Sequence, residues 1–352
     1  MHISFQKLFY VIASVIGLIA ILILAKSVLI PIAFAFLIAF ILFPVTRKIE
    51  SWGLNEIFSA LLSIVGLFLI IGAAIYLFSN QIIDLSENLT DFKSKILNVF
   101  TDATLFFNKN IGFLPDLERG ELLDKLKTWF SESSGTLLSQ TFNSTANIIF
   151  GMLTSIIFTF LILIYRNGII HALVSFYPQE HRQKALKMFK SVQHVGQQYL
   201  FGMLVIVVIL GLLNSIGLLI IGIDNAFLFG FLAALLALIP YAGTFLGAAI
   251  PVLYAFISYD SIWMPISIVI FFWLVQVVES NFLTPKIVGG NLEINALTSI
   301  LSIIIGSSVW GIAGMVLFLP FAAILKTVCN EYEELKPFAL LIGEHKHKKK
   351  RG

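Results

Sequence analysis

The sequence predicts an all-α polytopic membrane protein with six spans and two further helical segments that break within the membrane. Three observations carry that prediction. Of 352 residues, 58% are hydrophobic and 12% charged, with a mean hydropathy of +0.95, well beyond the apolar share of a soluble domain. Six separate stretches approach or exceed the ~20 apolar residues needed to cross a hydrocarbon core. Two longer apolar stretches carry prolines and glycines near their middles, which a plain anchor does not need.

The six spans run from Leu8 to Ala25, Ser27 to Val45, Ile57 to Phe78, Ile148 to Tyr165, Tyr199 to Ile221 and Ile262 to Phe282. The first is too long for a secretory h-region and is followed by no A-x-A-like cleavage site, so it is read as structure. Charge then sets sidedness, because cytoplasmic flanks carry an excess of Lys and Arg. Between Gln81 and Thr145 nine acids face six bases, a net of −3, whereas Arg166 to Gln198 holds five bases against Glu180, and HKHKKKR adds five more at the end. The region after Phe78 is therefore expected outside and both termini inside. The basic tail reads as a topology determinant touching anionic lipid rather than a nucleic-acid patch.

Between spans three and four, Ile82, Leu85, Leu89, Phe92, Ile96, Val99 and Phe100 recur at helical spacing. A second stripe follows at Leu122, Leu123, Leu126, Trp129 and Phe130, after breaks at Pro115 and Gly120. Both are expected to pack on the membrane domain or on another subunit. On the inner side, a turn at Pro178 leads into a helix running unbroken into the fifth span, with Leu186, Phe189, Val192 and Val195 as one face. The organisation is thus residues 1–80 for the first three spans, 81–146 for the external segment, and 147–198 for span four and the inner helix. A transport core fills 199–326, and a basic tail 327–352.

The two broken segments, 226–256 and 296–325, are too long for one comfortable span: about 31 residues at 1.5 Å each reach roughly 46 Å against a core of ~30 Å. In the first the break is ALIPYAGTFLGAAIP, with Pro240, Tyr241, Gly243, Gly247 and Pro251. In the second it is IGSSVWGIAG, with Gly306, Gly311 and Gly314 and a later Pro320, so the halves look like a faint internal repeat. Irregular backbone survives at membrane depth only where protein or a water-filled cavity surrounds it, and paired interrupted helices point to a transporter's binding site. Helix packing and simple kinks are the other explanation. Each segment is either a tilted span or a re-entrant hairpin, and charge parity is the same for both. They differ in the side that holds TPKIVGGNLEIN, where the single Lys286 favours inside.

Glu279, in FFWLVQVVESNFLTP, is the acid placed within a span, and a carboxylate there defaults to a functional hypothesis. Glu279 is expected as the coupling carboxylate with Gln276 and Asn281 as polar neighbours: Gln276 shares its helix face, while Asn281 points elsewhere, near an unwinding expected before Pro285. Burial disfavours the charged form of a carboxyl group, which suits a proton or cation site that alternates between filled and empty. Pairing with Lys286 at the interface is the structural alternative.

Enzymatic readings find little room. There is no G-x-x-x-x-G-K-[ST] loop, His2, His171, His181, His194, His345 and His347 all fall outside the spans, and Asp224 and Asp260 sit at loop positions. No Cys/His cluster marks a metal site, and no cofactor is expected beyond a coupling H+ or Na+. A channel or a structural scaffold remains the rival class.

The segments FYPQEHR…YLFG, IPYAGTFLGAAIP, VESNFLTPKIVGG and GSSVWGIAGMVLFLPFAAIL, in this order, resemble the autoinducer-2 exporter family, also described as PerM-type permeases. The likeness is most specific from Pro178 onward, at Pro240, Tyr241, Gly243, Pro251, Glu279, Asn281, Pro285, Gly289 and Pro320. It implies a bacterial inner-membrane permease, linked in some members to export of a small furanone-like signal and in others to sodium/proton exchange. It also implies a homo-oligomer, for which a ring of five is expected. Gly289-Gly290 followed by Asn291 departs from many relatives and limits the transfer of substrate from them.

Overall fold

The structure, a computed structural model, describes residues 5–79, 81–83, 148–240, 242–259, 261–289 and 294–343. The external stripes from Leu85 onward, Tyr241, Asn291 and the HKHKKKR tail lie outside the described residues. Ten α-helices are named here among those described: α1 Phe5–Leu24, α2 Lys26–Glu50, α3 Glu56–Ser79, α4 Ile148–Ser175, α5 Arg182–Ile221, α6 Ala226–Leu236, α7 Ala242–Ser258, α8 Trp263–Val278, α9 Ala296–Glu331 and α10 Lys336–Ile342. Six helices are long and apolar enough to cross a membrane, and no strand is present among the described residues. The chain is an all-α polytopic membrane protein.

Helices α2, α3 and α4 pack through small residues and hydroxyls, which let helices approach closely where lipid supplies no hydrophobic drive. Ala39, Ala60 and Leu163 are buried between them, and the hydroxyls of Thr46 and Ser63 lie 2.9 Å apart. At one end Arg166 of α4 donates to both carboxylate oxygens of Glu50 at 2.6 Å, its guanidinium lying over the Phe43 ring. With both partners largely buried, that pair fixes the register of α2 against α4 more than it adds net stability.

Helix α5 is the hub. As expected, it runs unbroken from the inner amphipathic region into the fifth span over 40 residues. Its buried face differs from the expected one, however: Leu186 is exposed, and Ala185, Met188, Gly196 and Tyr199 are buried instead. The packing partners decide this, because the Phe40 ring of α2 sits on Gly196. Farther along, Gly211 takes Phe231 of α6 and Gly217 takes Phe271 of α8.

Both broken segments are hairpins rather than tilted spans. In the first, α6 and α7 run antiparallel: Gly247 faces Ala233, the Phe229 and Tyr254 rings lie 4.8 Å apart, and the Tyr259 hydroxyl meets Asp224 at 2.8 Å. The reversal falls at the predicted break, where the amide of Gly243 donates to the carbonyl of Ile239 at 2.9 Å. In the second, α9 reverses at Gly311, whose φ of 60° and ψ of −137° are not helical. A side chain at Gly306 or Gly314 would strike the backbone of the opposite arm. The start of the hairpin then meets the end of α10, since the amide of Asn295 donates to the carbonyl of Ile342 at 2.9 Å and Ile294 bridges Gly343.

The prolines placed among the breaks are of two kinds. Pro240 lies in the first turn, whereas Pro251 and Pro320 sit fully buried within the second arm of their hairpins. The unwinding expected before Pro285 does not occur. After α8 the chain continues as wider π-helical turns, Glu279–Leu283 and Pro285–Gly289, so that Gly289 ends a helical stretch instead of lying in a loop. π-Turns absorb a proline's missing donor without ending the helix, and they concentrate at functional sites.

Candidate transport site

The sides from which the two hairpins enter follow from the helices that hold them. Hairpin α6–α7 is held between the end of α5 and the start of α8, and hairpin α9 follows the far end of α8. The start of the α5 region returns to the exit of α9 through the Tyr177 and Tyr332 hydroxyls, 2.8 Å apart. The hairpins therefore enter from opposite faces. Between them lies a cavity of about 950 Å³.

Polar groups converge on this cavity from separate elements: Tyr199 from α5, Thr244 from α7, Gln276, Glu279 and Ser280 from the α8 region, and Ser299 from α9. Pro240 and Pro285 also line it. Glu279 is half-buried at the first π-turn, and the Gln276 side chain hydrogen-bonds it, as a shared face one turn apart requires. Among the described residues no ion pair joins Glu279 to Lys286, and no Lys, Arg or His lines the cavity. The site therefore offers one carboxylate and several neutral hydrogen-bonding groups, a set suited to a proton, a small cation or a hydroxylated solute.

A second cavity of about 800 Å³ opens between α7 and α8. Ala237, Thr244, Gln276 and Glu279 line both, so the carboxylate stands in the partition between two chambers. The tip of the first hairpin forms the rest of that partition.

Gly243 and Gly247 hold the arms of the first hairpin together, and Gly306, Gly311 and Gly314 shape the tip of the second without lining either cavity. Asn281 does not join the site, because its amide nitrogen donates to the Val277 carbonyl at 2.8 Å and ties it to its own helix. Sequence reasoning passed over Thr244, although it follows Gly243 within the break. It also passed over Ser280, Ser299, Tyr199 and Asn214, whose only signal was a polar atom in an apolar run. Asn295 was missed as well: it caps α9, accepting from the Thr298 amide at 2.8 Å while donating to the Leu341 carbonyl at 2.6 Å.

Opposed re-entrant hairpins enclosing a polar site are the architecture of a membrane transporter, and comparison with known sequences agrees. The profile of the AI-2E family transporter matches residues 12–334. The chain belongs to the AI-2E transporter family. Among its AI-2E relatives, the putative transport protein YueF of Bacillus subtilis is 29% identical over 84% of this chain and 82% of its own length. YrrI of the same organism, also a putative transport protein, is 26% identical over 88% of each. The AI-2 transport protein TqsA of Escherichia coli is 24% identical over 91% of this chain and 90% of its own. Membership makes this AI-2E chain a membrane transport protein, as the hairpins and spans already indicated.

Proposed function

We propose that this protein is a secondary permease that exports a small polar solute or signal molecule across the bacterial inner membrane, driven by an H+ or Na+ gradient. One observation carries the reading: Glu279, held by Gln276, lines both cavities beside the tip of the first hairpin, and the arms of the opposed second hairpin close one of them. A carboxylate reachable from both chambers takes a proton or cation from one and releases it to the other. Its change of charge alters the cost of closing an apolar hairpin tip over it. The breaks at Pro240 to Gly243 and Gly306 to Gly314 are the gates. That the relative TqsA is an AI-2 transport protein supports a signal-molecule cargo.

The same carboxylate supports a second reading, sodium or lithium exchange for protons with no organic cargo. Both termini are assigned to the cytoplasm on the bases from Arg166 to Lys190 and in the tail. The working unit is a homo-oligomer, a ring of five in contact with lipid and not nucleic acid, supported by the amphipathic external stripes. A monomer mass in both mild detergent and nanodiscs would count against it.

The test is reconstitution in proteoliposomes, with counterflow of candidate solutes and of radioactive sodium under imposed pH and sodium gradients. Glu279→Gln is expected to retain expression and oligomer size while losing pH- or sodium-dependent flux. Normal coupled transport by that variant overturns the assignment. Gradient-independent, non-saturating flux by the native chain would instead indicate a channel, and no flux at all a scaffold.

A further inference from the structure

Asn214, on α5, is 4% exposed, and its amide oxygen is buried with no hydrogen-bond donor among the described residues. Protein interiors rarely leave a buried acceptor unpaired, and those that are left call for a partner absent from the folded chain. Asn214 lines the second cavity together with Thr244, Gln276 and Glu279. The remaining wall is apolar and aromatic, with Phe245, Phe272 and Trp273. Among the described residues neither cavity is lined by Lys, Arg or His.

These features select a ligand by charge, donor count and shape. A lone carboxylate without a basic neighbour attracts cations and repels carboxylates and phosphates. An acceptor that lacks a donor asks for an N–H or O–H, and aromatic walls favour an apolar body, with cation–π attraction available at Trp273. A primary ammonium carries three N–H donors on one charge, enough to serve both acceptors at once.

We propose that the second cavity binds a small organic ammonium ion with an apolar body, its charge at Glu279 and an N–H at the Asn214 amide oxygen. The proposal rests on the transport reading of Glu279 and narrows its cargo. Because one carboxylate holds either a proton or the ammonium, the two exclude each other and move in exchange, with no bond made or broken.

The probe is phenethylammonium, titrated into the full chain in phosphatidylcholine nanodiscs at neutral pH and followed by tryptophan fluorescence. Binding should saturate, with most of the signal lost in Trp273→Phe, and phenylacetate should bind at least about tenfold more weakly. Asn214→Leu, with the same branched shape and number of heavy atoms but without an acceptor, should weaken phenethylammonium about tenfold yet leave benzyltrimethylammonium, a cation with no N–H, within about twofold. Equal weakening of both cations marks Asn214 as structural and overturns the proposal, as does phenylacetate binding as tightly as the amine. Asn214→Ala is the second variant, and if neither variant gives monodisperse protein the amide is structural and the proposal falls. Adding phosphatidylethanolamine should leave the affinity unchanged, and competition from it reassigns the site to a lipid amine. Coupled flux lost in Glu279→Gln, with no phenethylammonium binding by the native chain, sinks the ligand class alone. Absence of any coupled flux sinks the transport reading as well.

Discussion

Gly311 turns the second hairpin with φ 60° and ψ −137°, a backbone region closed to side chains, yet a Cβ there would meet no atom within 4 Å. Strain and crowding are therefore separable in this hairpin. Gly311→Ala should cost about 1–3 kcal/mol through backbone strain alone. Gly314→Ala would instead drive a methyl into the Gly306 carbonyl and splay the arms. Both should lower the melting temperature in detergent, whereas Gly17→Ala, in open space on α1, should not. If Gly311→Ala melts with the native protein, the turn is not held at that conformation. The pairing of Gln276 with Glu279 was readable from their spacing, since residues one turn apart share a face whatever surrounds the helix. Asn281 was not, because an amide that can bond back to the carbonyl four residues earlier withdraws from a site its position would allow. The importance of Asn214 depends on what α7 and α8 bring beside α5, and no local pattern carries that.

The breaks of the two hairpins were visible as proline and glycine clusters, but their outcome depends on contacts between residues distant in sequence. A proline in an apolar run is compatible with a kink or a reversal, and Ala233 against Gly247 decides for reversal. The π-turns after Val278 were hidden for a related reason: Pro285 signals a helix end in local terms, whereas packing on α5 keeps the chain coiled. At the base of the first hairpin the Tyr259 hydroxyl donates to an Asp224 carboxylate oxygen and accepts from the Asp224 amide, each at 2.8 Å. Partial burial, assisted by the neighbouring Asp224 carboxylate, pushes Tyr259 up to about 12. Because the folded-state value exceeds the ordinary 10.0, the contribution is complete below pH 10 and drains as pH rises towards about 12. Tyr259→Phe should cost about 0.5–1.5 kcal/mol at neutral pH. The melting difference between native and Tyr259→Phe proteins should then shrink between pH 10 and 12, and a difference constant across that range would show that the bond does not close the hairpin.

Across the whole molecule, two hairpins that enter from opposite faces make a stronger statement than either does alone. The turn of the first hairpin reaches the cavity beside Glu279 through Pro240 and Thr244, whereas the second hairpin reaches it through its arms, at Ser299, Ile303, Met315 and Leu319, with Gly311 at its tip exposed. Five spans, α1 to α5, separate the start of the chain from the base of the first hairpin, an odd number that puts the two on opposite sides, and a hairpin returns to the side it left, so that the start of α9 lies on the side of the C-terminal helix. Asn295 states the second point directly, since its side chain donates to the carbonyls of Leu341 and Gly343 at 2.6 and 3.1 Å. Sidedness can thus be tested without first knowing which face is cytoplasmic. In a Cys329→Ser background, single cysteines at Asn291 and Phe338 should respond alike to a membrane-impermeant maleimide, and a cysteine at Ser261, beside the base of the first hairpin, should respond oppositely. With the termini inside, Ser261→Cys labels in intact cells while Asn291→Cys and Phe338→Cys label only after lysis. Labelling of Asn291→Cys and Phe338→Cys from opposite sides would place a crossing in α9, convert the second hairpin into a span, and remove Glu279 from the partition between the chambers, whereas labelling of Asn291→Cys and Ser261→Cys from the same side would show that α8 does not cross.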